Sequence, residues 1–259
     1  MPRLGLGVYQ TGRGRETRSA VLAALEVGYR LVDTAAVYGN ERDVGAALRE
    51  SGVPRGQVFV TTKLWNSDHG YDRTLRAFDA SLRALGLDVL DLYLLHWPVP
   101  NVRLQSWLAL ERLLLEGRAR AIGVSNFTLP HLRELLEASD VAPAVNQVEL
   151  HPFLPQIELV AFCHGRGVQV EAYSPLARAE RMDHPVLQRI ARVHGKSPAQ
   201  VLIRWSLQRG FVTIPKSARR ERIAENADVF DFTLEPAEMK DLDGLNEELH
   251  TDWDPTGVR

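Results

Sequence analysis

Four side chains of complementary chemistry stand at the ends of three apolar runs in the first hundred residues. The second run contains an acid, Asp33, and is followed by a phenol, Tyr38. An amine, Lys63, follows the third run, and an imidazole, His96, ends the fourth. An ammonium group near a phenol favours phenolate and lowers the phenol pKa from about 10, while a neighbouring carboxylate holds the amine charged. A phenol made acidic in this way can give a proton to a carbonyl oxygen that an imidazole N–H binds.

Each of these residue types also has a structural explanation when it stands alone. An aspartate can cap a helix, and a tyrosine can be a half-buried loop residue. A lysine can be a solvated surface charge, and a histidine can lie in the core with its hydrogen bonds satisfied. The four act together only if the fold brings the three strand ends to one place.

Short apolar runs alternate with amphipathic segments along the whole chain, which is the order of a parallel α/β fold. Each run has the length of a strand, and most are rich in Val, Ile and Leu, as strands buried on both faces are. The predicted strands are Leu4–Val8, Leu31–Ala35, Val58–Thr62, Leu90–His96, Ala121–Ser125, Val145–Leu150, Val168–Tyr173 and Val212–Pro215. The predicted helices include Glu16–Val27, Glu41–Ser51, Asp72–Leu85, Trp107–Glu116, Leu132–Ala138 and Ala199–Gln208, with Asn40, Thr128 and Ser197 at N-cap positions and Trp107 and Trp205 in the core.

Eight such units without a Ser/Gly/Pro-rich linker predict a single-domain (β/α)₈ TIM barrel over residues 1–259. The alternative, a doubly wound sheet, needs Gly-x-Gly-x-x-Gly after its first strand. Here Gln10 stands where the third glycine is required, so that dinucleotide-binding fingerprint is absent. The C-terminal ends of barrel strands face one mouth, which would place the four chemical side chains together.

Composition restricts the partners and the compartment. A net charge of −2 gives no general attraction to nucleic acid or to an anionic membrane. No signal-peptide pattern or run of ~20 apolar residues is present, and the one cysteine, Cys163, fits a reducing compartment as a small core residue. No cluster of Cys and His predicts a metal, and His151 is interpreted as structural. We therefore expect a cytoplasmic enzyme without a metal site.

Six motifs make this barrel similar to a known family. They are Asp33-Thr-Ala-Ala-Val-Tyr38-Gly39-Asn40-Glu41, Thr62-Lys63-Leu64-Trp65, Leu94-Leu95-His96-Trp97, Ile122-Gly123-Val124-Ser125-Asn126-Phe127, Asn146-Gln147-x-Glu149-x-His151-Pro152 and Ile214-Pro215-Lys216-Ser217. In type and order, over nearly the whole chain, they resemble the signatures of the aldo-keto reductase family. The segments around Tyr38 and Arg222 most resemble the bacterial branch that is similar to 2,5-diketogluconate reductases.

The resemblance implies an NADPH-dependent reduction of an aldehyde or ketone, with Tyr38 as the proton donor. The substrate class would be small carbonyls or keto sugars such as 2,5-diketogluconate. The implied site has a catalytic tetrad, residues that hold NADPH, and aromatic residues that are expected to contact the substrate. The tetrad is Asp33, Tyr38, Lys63 and His96; the carboxamide contacts are Ser125, Asn126 and Gln147; the nicotinamide ring stacks on Tyr173; Ser174 and Leu176 lie beside the pyrophosphate; Lys216, Ser217, Arg222, Glu225 and Asn226 hold the adenosine end; and Trp65, Trp97 and Phe127 meet the substrate.

The sequence departs from longer relatives in three places. It starts almost at the first strand, so the β-hairpin that commonly plugs the barrel bottom is expected to be absent. The segments Pro98–Ser106 and Glu247–Arg259, which tune substrate choice when long, are short, and the role of Trp253 in the second is open. We expect a monomer that acts on a small-molecule carbonyl.

Two other functions fit parts of the pattern. A non-catalytic NADPH-binding sensor or regulatory barrel would have no need for the intact tetrad. An isomerase or aldolase could form a Schiff base on Lys63, but Asp33 would keep that amine protonated.

A basic segment generates the first prediction. Four of the five charges in residues 216–222 are positive, and they follow the last strand, where a helix N-terminus and basic side chains bind phosphate. We predict that NADPH is preferred over NADH and that Arg222→Ala weakens NADPH binding about 10- to 150-fold, the size of a charge-assisted contact. NADH affinity, measured by fluorescence titration, should stay unchanged. Equal losses for both cofactors would show that Arg222 supports the fold instead.

Overall fold

Eight parallel strands form a closed barrel in the computed structural model, which describes residues 1–258. Each strand pairs with the next one in sequence, from β1 to β8. Backbone hydrogen bonds then join the two ends, from Gly5 N to Thr213 O at 2.9 Å and from Thr213 N to Arg3 O at 2.9 Å. The strands are β1 Leu6–Gly7, β2 Leu31–Asp33, β3 Phe59–Leu64, β4 Leu92–Leu95, β5 Ile122–Ser125, β6 Val145–Glu149, β7 Gln169–Tyr173 and β8 Val212–Thr213. The predicted (β/α)₈ architecture is confirmed.

Helices follow the strands and pack around the outside of the barrel. They are α1 Arg15–Glu26, α2 Glu41–Glu50, α3 Tyr71–Leu85, α4 Arg103–Leu115, α5 Leu129–Ala138, α6 Ile157–Gly165, α7 Pro185–His194, α8 Pro198–Gln208, α9 Arg220–Ala227 and α10 Pro236–Asp243. Two begin a turn earlier than predicted, α4 at Arg103 and α5 at Leu129. Their first turns carry polar residues or a proline, so the apolar periodicity starts only later in each helix.

All three predicted N-cap residues occupy that position, but only two of them form capping bonds with their side chains. Thr128 and Ser197 form capping boxes with the residues three positions on. Asn40 precedes α2 but makes no capping bond; its amide donates to Val8 O at 3.0 Å and its oxygen accepts from Thr34 Oγ1 at 2.8 Å. These longer-range bonds tie the β1 and β2 loops together beside the barrel mouth.

The core has a helix-facing layer and a barrel interior. Trp107 and Trp205 are 1% and 2% exposed and anchor α4 and α8, and Cys163 is buried as a core residue, all as predicted. Inside the barrel, Leu31, Val212 and Ile214 form an apolar cluster of their own. Polar side chains begin above this apolar floor.

Two findings concern the ends and the surface. Residues 1–5, which precede β1, form no hairpin, and the predicted lack of a barrel plug stays a prediction. Among the helices of residues 1–258, none combines the length and the apolar character that a bilayer crossing requires.

The contact between α2 and α3 generates a stability prediction. A Cβ added to Gly45 would lie 2.0 Å from Leu85 O and 2.9 Å from its Cα, so α2 would have to move. We predict that Gly45→Ala lowers the free energy of unfolding by about 1–3 kcal/mol, as overpacking does. Gly165→Ala is the matched control, since nothing lies within 4 Å of its added Cβ. Urea unfolding that ranks the control as the less stable variant would contradict this account.

Candidate active site

Lys63 lies at the centre of the barrel mouth and is fully buried. The parallel pairing of β2 with β3 places Asp33, the last residue of β2, opposite Thr61, two residues before Lys63 on β3. Its ammonium donates to Asp33 Oδ1 at 2.6 Å, to Thr34 O at 3.0 Å and to the Tyr38 hydroxyl at 3.3 Å. Three N–H donors thus meet three acceptors, and the hydrogen-bonding capacity of the ammonium is filled.

The ion pair keeps the amine charged. Burial alone would lower the pKa of Lys63, but the charges of Asp33 and of an ionised Tyr38 outweigh it and raise this pKa above its ordinary value. A protonated amine is no nucleophile, so this geometry argues against a Schiff-base enzyme.

Tyr38 ends a short 3₁₀ turn and presents its hydroxyl to Lys63. Burial raises the pKa of Tyr38 to about 12, since the pull of the Lys63 ammonium is smaller and Asp33 opposes it. The prediction of a phenol that is acidic near neutral pH is therefore wrong for this structure. The phenol stays protonated at neutral pH, and Lys63 is placed to stabilise the phenolate after a proton has left.

His96 is neutral, and its ring lies beside the ring of Tyr38. Burial and the nearby Lys63 charge hold the pKa of His96 well below its usual range. Its ring meets the rings of Tyr38 and Trp65 edge-on, with centroids 5.8 Å and 5.4 Å away. A neutral imidazole keeps one N–H donor, which is the form that can bind a carbonyl oxygen without carrying charge.

The residues expected to hold the carboxamide form one connected group. The Tyr173 hydroxyl donates to Asn126 Oδ1 at 2.9 Å, and Asn126 Nδ2 donates to Ser125 Oγ at 3.3 Å and to His96 O at 3.0 Å. Asn126 has a φ of 62°, a left-handed conformation that asparagine tolerates better than most residues.

Gln147 connects this group directly to Asp33 and also contacts Glu171, a residue that the sequence interpretation missed. Its amide donates to Asp33 Oδ2 and to Glu171 Oε2, both at 2.8 Å. Glu171 is fully buried, and its second oxygen has no hydrogen-bond partner within residues 1–258. A signal was available, because Glu171 is the one charged residue in the apolar run Val168–Tyr173.

Basic side chains that form no salt bridge within the described residues lie where the adenosine end of NADPH is expected. Lys216 follows β8 and bridges to Gly7 of β1. Lys216, Arg219 and Arg222 are exposed, and within the described chain none of them forms a salt bridge, whereas Arg220 pairs with Glu26 at 2.6 Å.

The other residues expected to hold the adenosine end of NADPH are buried or already hydrogen-bonded. Ser217 and Asn226 are buried, and Glu225 accepts a hydrogen bond from the Ser197 hydroxyl. Ser174 and Leu176 are half-buried where the chain leaves β7.

The predicted substrate contacts differ in accessibility. Trp65 and Trp97 are half-buried next to His96, and the ring of Trp97 lies 4.9 Å from that of Trp253. Phe127 is only 1% exposed and packs against His131, so the structure places most of its ring in the core. Tyr9, which was not predicted, is 42% exposed and lies 4.9 Å from the Tyr38 ring.

The C-terminal segment is held beside the mouth by Glu149. This buried carboxylate accepts from Thr251 N at 2.8 Å, from the Thr251 hydroxyl and from Asp252 N at 3.2 Å. It also lies 3.2 Å from His151 Nε2, which gives His151 the structural role expected of it. Trp253 follows directly and forms part of a cleft wall that also includes Asn126 and Tyr173.

The side chains of the mouth determine which kind of cofactor it suits. No three His, Cys, Asp or Glu side chains are grouped as metal ligands in residues 1–258. A half-buried aromatic ring, three amide or hydroxyl groups and a patch of unpaired cations instead suit a flat polar ring and a phosphate. The residues fit a phosphorylated nicotinamide dinucleotide.

The fold and the site together define a (β/α)₈ barrel whose mouth holds a buried lysine, a phenol and an imidazole. Residues 3–247 match the model of the aldo/keto reductase family. Glyoxal reductase of Bacillus subtilis is 52% identical over 248 residues, which cover 96% of this chain and 90% of that protein.

Two solved structures are also similar. An aldo-keto reductase from a Medee basin deep-sea metagenome library has a TM-score of 0.97 at 44% identity, covering 100% of this chain and 96% of that one. The aldo-keto reductase of Bombyx mori in complex with NADP has a TM-score of 0.91 at 38% identity, covering 96% and 91%. The chain belongs to the aldo/keto reductase family and is an oxidoreductase.

The buried ion pair generates a prediction about Lys63→Met. Removing the ammonium leaves Asp33 as an unpaired buried carboxylate, which should cost roughly 3–5 kcal/mol of stability at pH 7. Protonation relieves that charge, so the loss relative to wild type should shrink as the pH falls towards the ordinary carboxyl range near 4. Thermal unfolding from pH 4.5 to 8 measures both effects. An unchanged melting temperature, or a deficit that grows towards low pH, would contradict the ion-pair account.

Proposed function

We propose that this protein reduces an aldehyde or ketone to an alcohol with NADPH, and that Tyr38 donates the proton. The observation that carries the proposal is the buried Lys63 ammonium, 2.6 Å from Asp33 Oδ1 and 3.3 Å from the Tyr38 hydroxyl. A fully buried charge is costly, and this one is oriented at the oxygen where negative charge would form.

NADPH is the cofactor, and it supplies a hydride when bound. Tyr173 would stack on its nicotinamide ring, while Ser125, Asn126 and Gln147 would hold the carboxamide. The unpaired cations Lys216 and Arg222 would receive the 2′-phosphate, and Arg219 adds to that positive patch.

The chain's own residues then direct the reaction. His96, being neutral, donates a hydrogen bond to the carbonyl oxygen and fixes its position. The carbonyl oxygen, which would gain negative charge when hydride is transferred, would take the phenol proton of Tyr38. Lys63 stabilises the resulting phenolate, and Asp33 holds Lys63 in place without taking its proton. The reaction would yield the alcohol and leave Tyr38 as a phenolate. The phenolate would then regain its proton from solvent.

The substrates are small carbonyls or keto sugars such as 2,5-diketogluconate. Exposed and half-buried aromatic rings of Tyr9, Trp65 and Trp97 surround the mouth, with Phe127 behind them. A relative of 52% identity is a glyoxal reductase, which supports a small carbonyl. We further propose a cytoplasmic monomer.

Tyr38→Phe tests the proton donor. The loss of the positioned acid should lower the rate of carbonyl reduction about 10²- to 10⁴-fold, while NADPH affinity should change little. Tyr93→Phe is the matched control, since the buried Tyr93 hydroxyl has no hydrogen-bond partner in the described structure. NADPH oxidation is followed by absorbance with a panel of carbonyls.

The outcomes separate the possible functions. Half of wild-type activity in Tyr38→Phe would refute the donor assignment. Tight NADPH binding by the wild type without oxidation by any carbonyl would instead indicate a sensor or regulatory barrel.

A further inference from the structure

We propose that Glu171 is a positioning residue that, together with Asp33, holds the Gln147 amide with its oxygen turned towards the nicotinamide carboxamide. This inference rests on the proposed contact between Gln147 and the carboxamide.

The polarity of the hydrogen bonds starts at Lys63. The ammonium can only donate, so Asp33 Oδ1 accepts from it at 2.6 Å. The second oxygen of this ionised carboxylate can also only accept, and its donor is Gln147 Nε2 at 2.8 Å. The nitrogen of the Gln147 amide must therefore face Asp33.

Glu171 accepts the second N–H of the same amide. Gln147 Nε2 lies 2.8 Å from Glu171 Oε2, so both amide hydrogens point into the barrel, one to each acid. The amide oxygen of Gln147 accepts no hydrogen bond within residues 1–258 and is left for a ligand. An oxygen can only accept, so it would select the NH₂ group of a carboxamide.

Burying Glu171 at this position costs free energy, which argues against a purely structural role. It is fully buried, and Oε1 has no hydrogen-bond partner in the described structure. Burial and the neighbouring charge of Asp33 raise the pKa of Glu171 to about 8, while Gln147 and Lys63 oppose that rise. A leucine in this place would remove an incompletely satisfied acid, but it would also leave one N–H of Gln147 without its acceptor.

The charged and titratable groups that face this position come from several strands. Asp33 lies on β2 and Lys63 on β3, and both act on Glu171. Gln147 on β6 is uncharged and separates the two acids. Because the proposal concerns a hydrogen-bond acceptor, the measurements are made at pH 6.5, where Glu171 is neutral and its carbonyl oxygen still accepts.

The test compares Glu171→Leu with Glu171→Gln. Leucine removes the acceptor, whereas glutamine keeps an oxygen that can face Gln147 and directs its own NH₂ to the unpartnered side. We expect Glu171→Leu to weaken NADP⁺ binding about three- to tenfold, the size of one net hydrogen bond. Glu171→Gln should retain wild-type affinity.

An analogue and a double variant show whether the effect passes through Gln147. The 3-acetylpyridine analogue of NADP⁺ has a methyl group where the carboxamide has NH₂, so Glu171→Leu should not weaken its binding. In a Gln147→Met background, Glu171→Leu should have no further effect on NADP⁺ affinity.

Each outcome decides one point. Equal losses for NADP⁺ and the analogue, or equal losses in the leucine and glutamine variants, would overturn the positioning role. If Gln147→Met itself leaves NADP⁺ affinity unchanged, the proposed carboxamide contact is wrong. If that variant weakens binding but Glu171→Leu does not, only the role of Glu171 is refuted.

Discussion

A lysine ammonium without solvent contact is stable in the mouth of this barrel only because Asp33 lies 2.6 Å away. Taking an ion out of water costs several kcal/mol, and a single carboxylate compensates only with good geometry and filled hydrogen bonds. The Thr34 carbonyl and the Tyr38 hydroxyl complete that set. The pairing of β2 with β3, and the short turn that returns Tyr38 to the mouth, are therefore constrained by one buried charge. Burial, together with the same charge, lowers the pKa of His96 and keeps that imidazole neutral.

The raised pKa of Tyr38 changes what Lys63 does. A phenol with a pKa of about 12 is protonated before the reaction, so the ammonium is not required to make it acidic in the resting protein. Its influence is largest once the proton has moved, when a phenolate stands beside it. At an effective dielectric constant of 20, two charges about 4 Å apart attract by roughly 4 kcal/mol. An interaction that is weak with the phenol and strong with the phenolate favours the later stage of proton transfer, which is how a site accelerates a step.

The strand order and the tetrad were predictable because both follow local patterns in the sequence. Apolar runs and their spacing indicated the barrel, and Asp33, Lys63 and His96 stand at strand ends where the fold directs side chains to the mouth. What local patterns could not supply is the balance of burial against charge at Tyr38, which depends on all the neighbours of its hydroxyl. The side-chain partners of Asn40 were hidden for a similar reason: the residue occupies its predicted N-cap position, but its side chain bonds to the distant Val8 and the loop residue Thr34. Glu171 carried a visible signal, a charge inside an apolar strand, but its partner lies on another strand.

The polar interior of the barrel mouth also explains why its apolar floor matters. Leu31, Val212 and Ile214 form an apolar cluster beneath Asp33, Glu171 and Lys63. If these apolar side chains were absent, water could occupy that space. Water at that level would solvate Asp33 and Lys63 separately and weaken the attraction that fixes their geometry. It would also offer Glu171 other partners and release Gln147 from its single orientation. Apolar packing below and hydrogen bonds above therefore cooperate: the floor keeps the site dry, and dryness makes each hydrogen bond at the mouth directional enough to place a ligand.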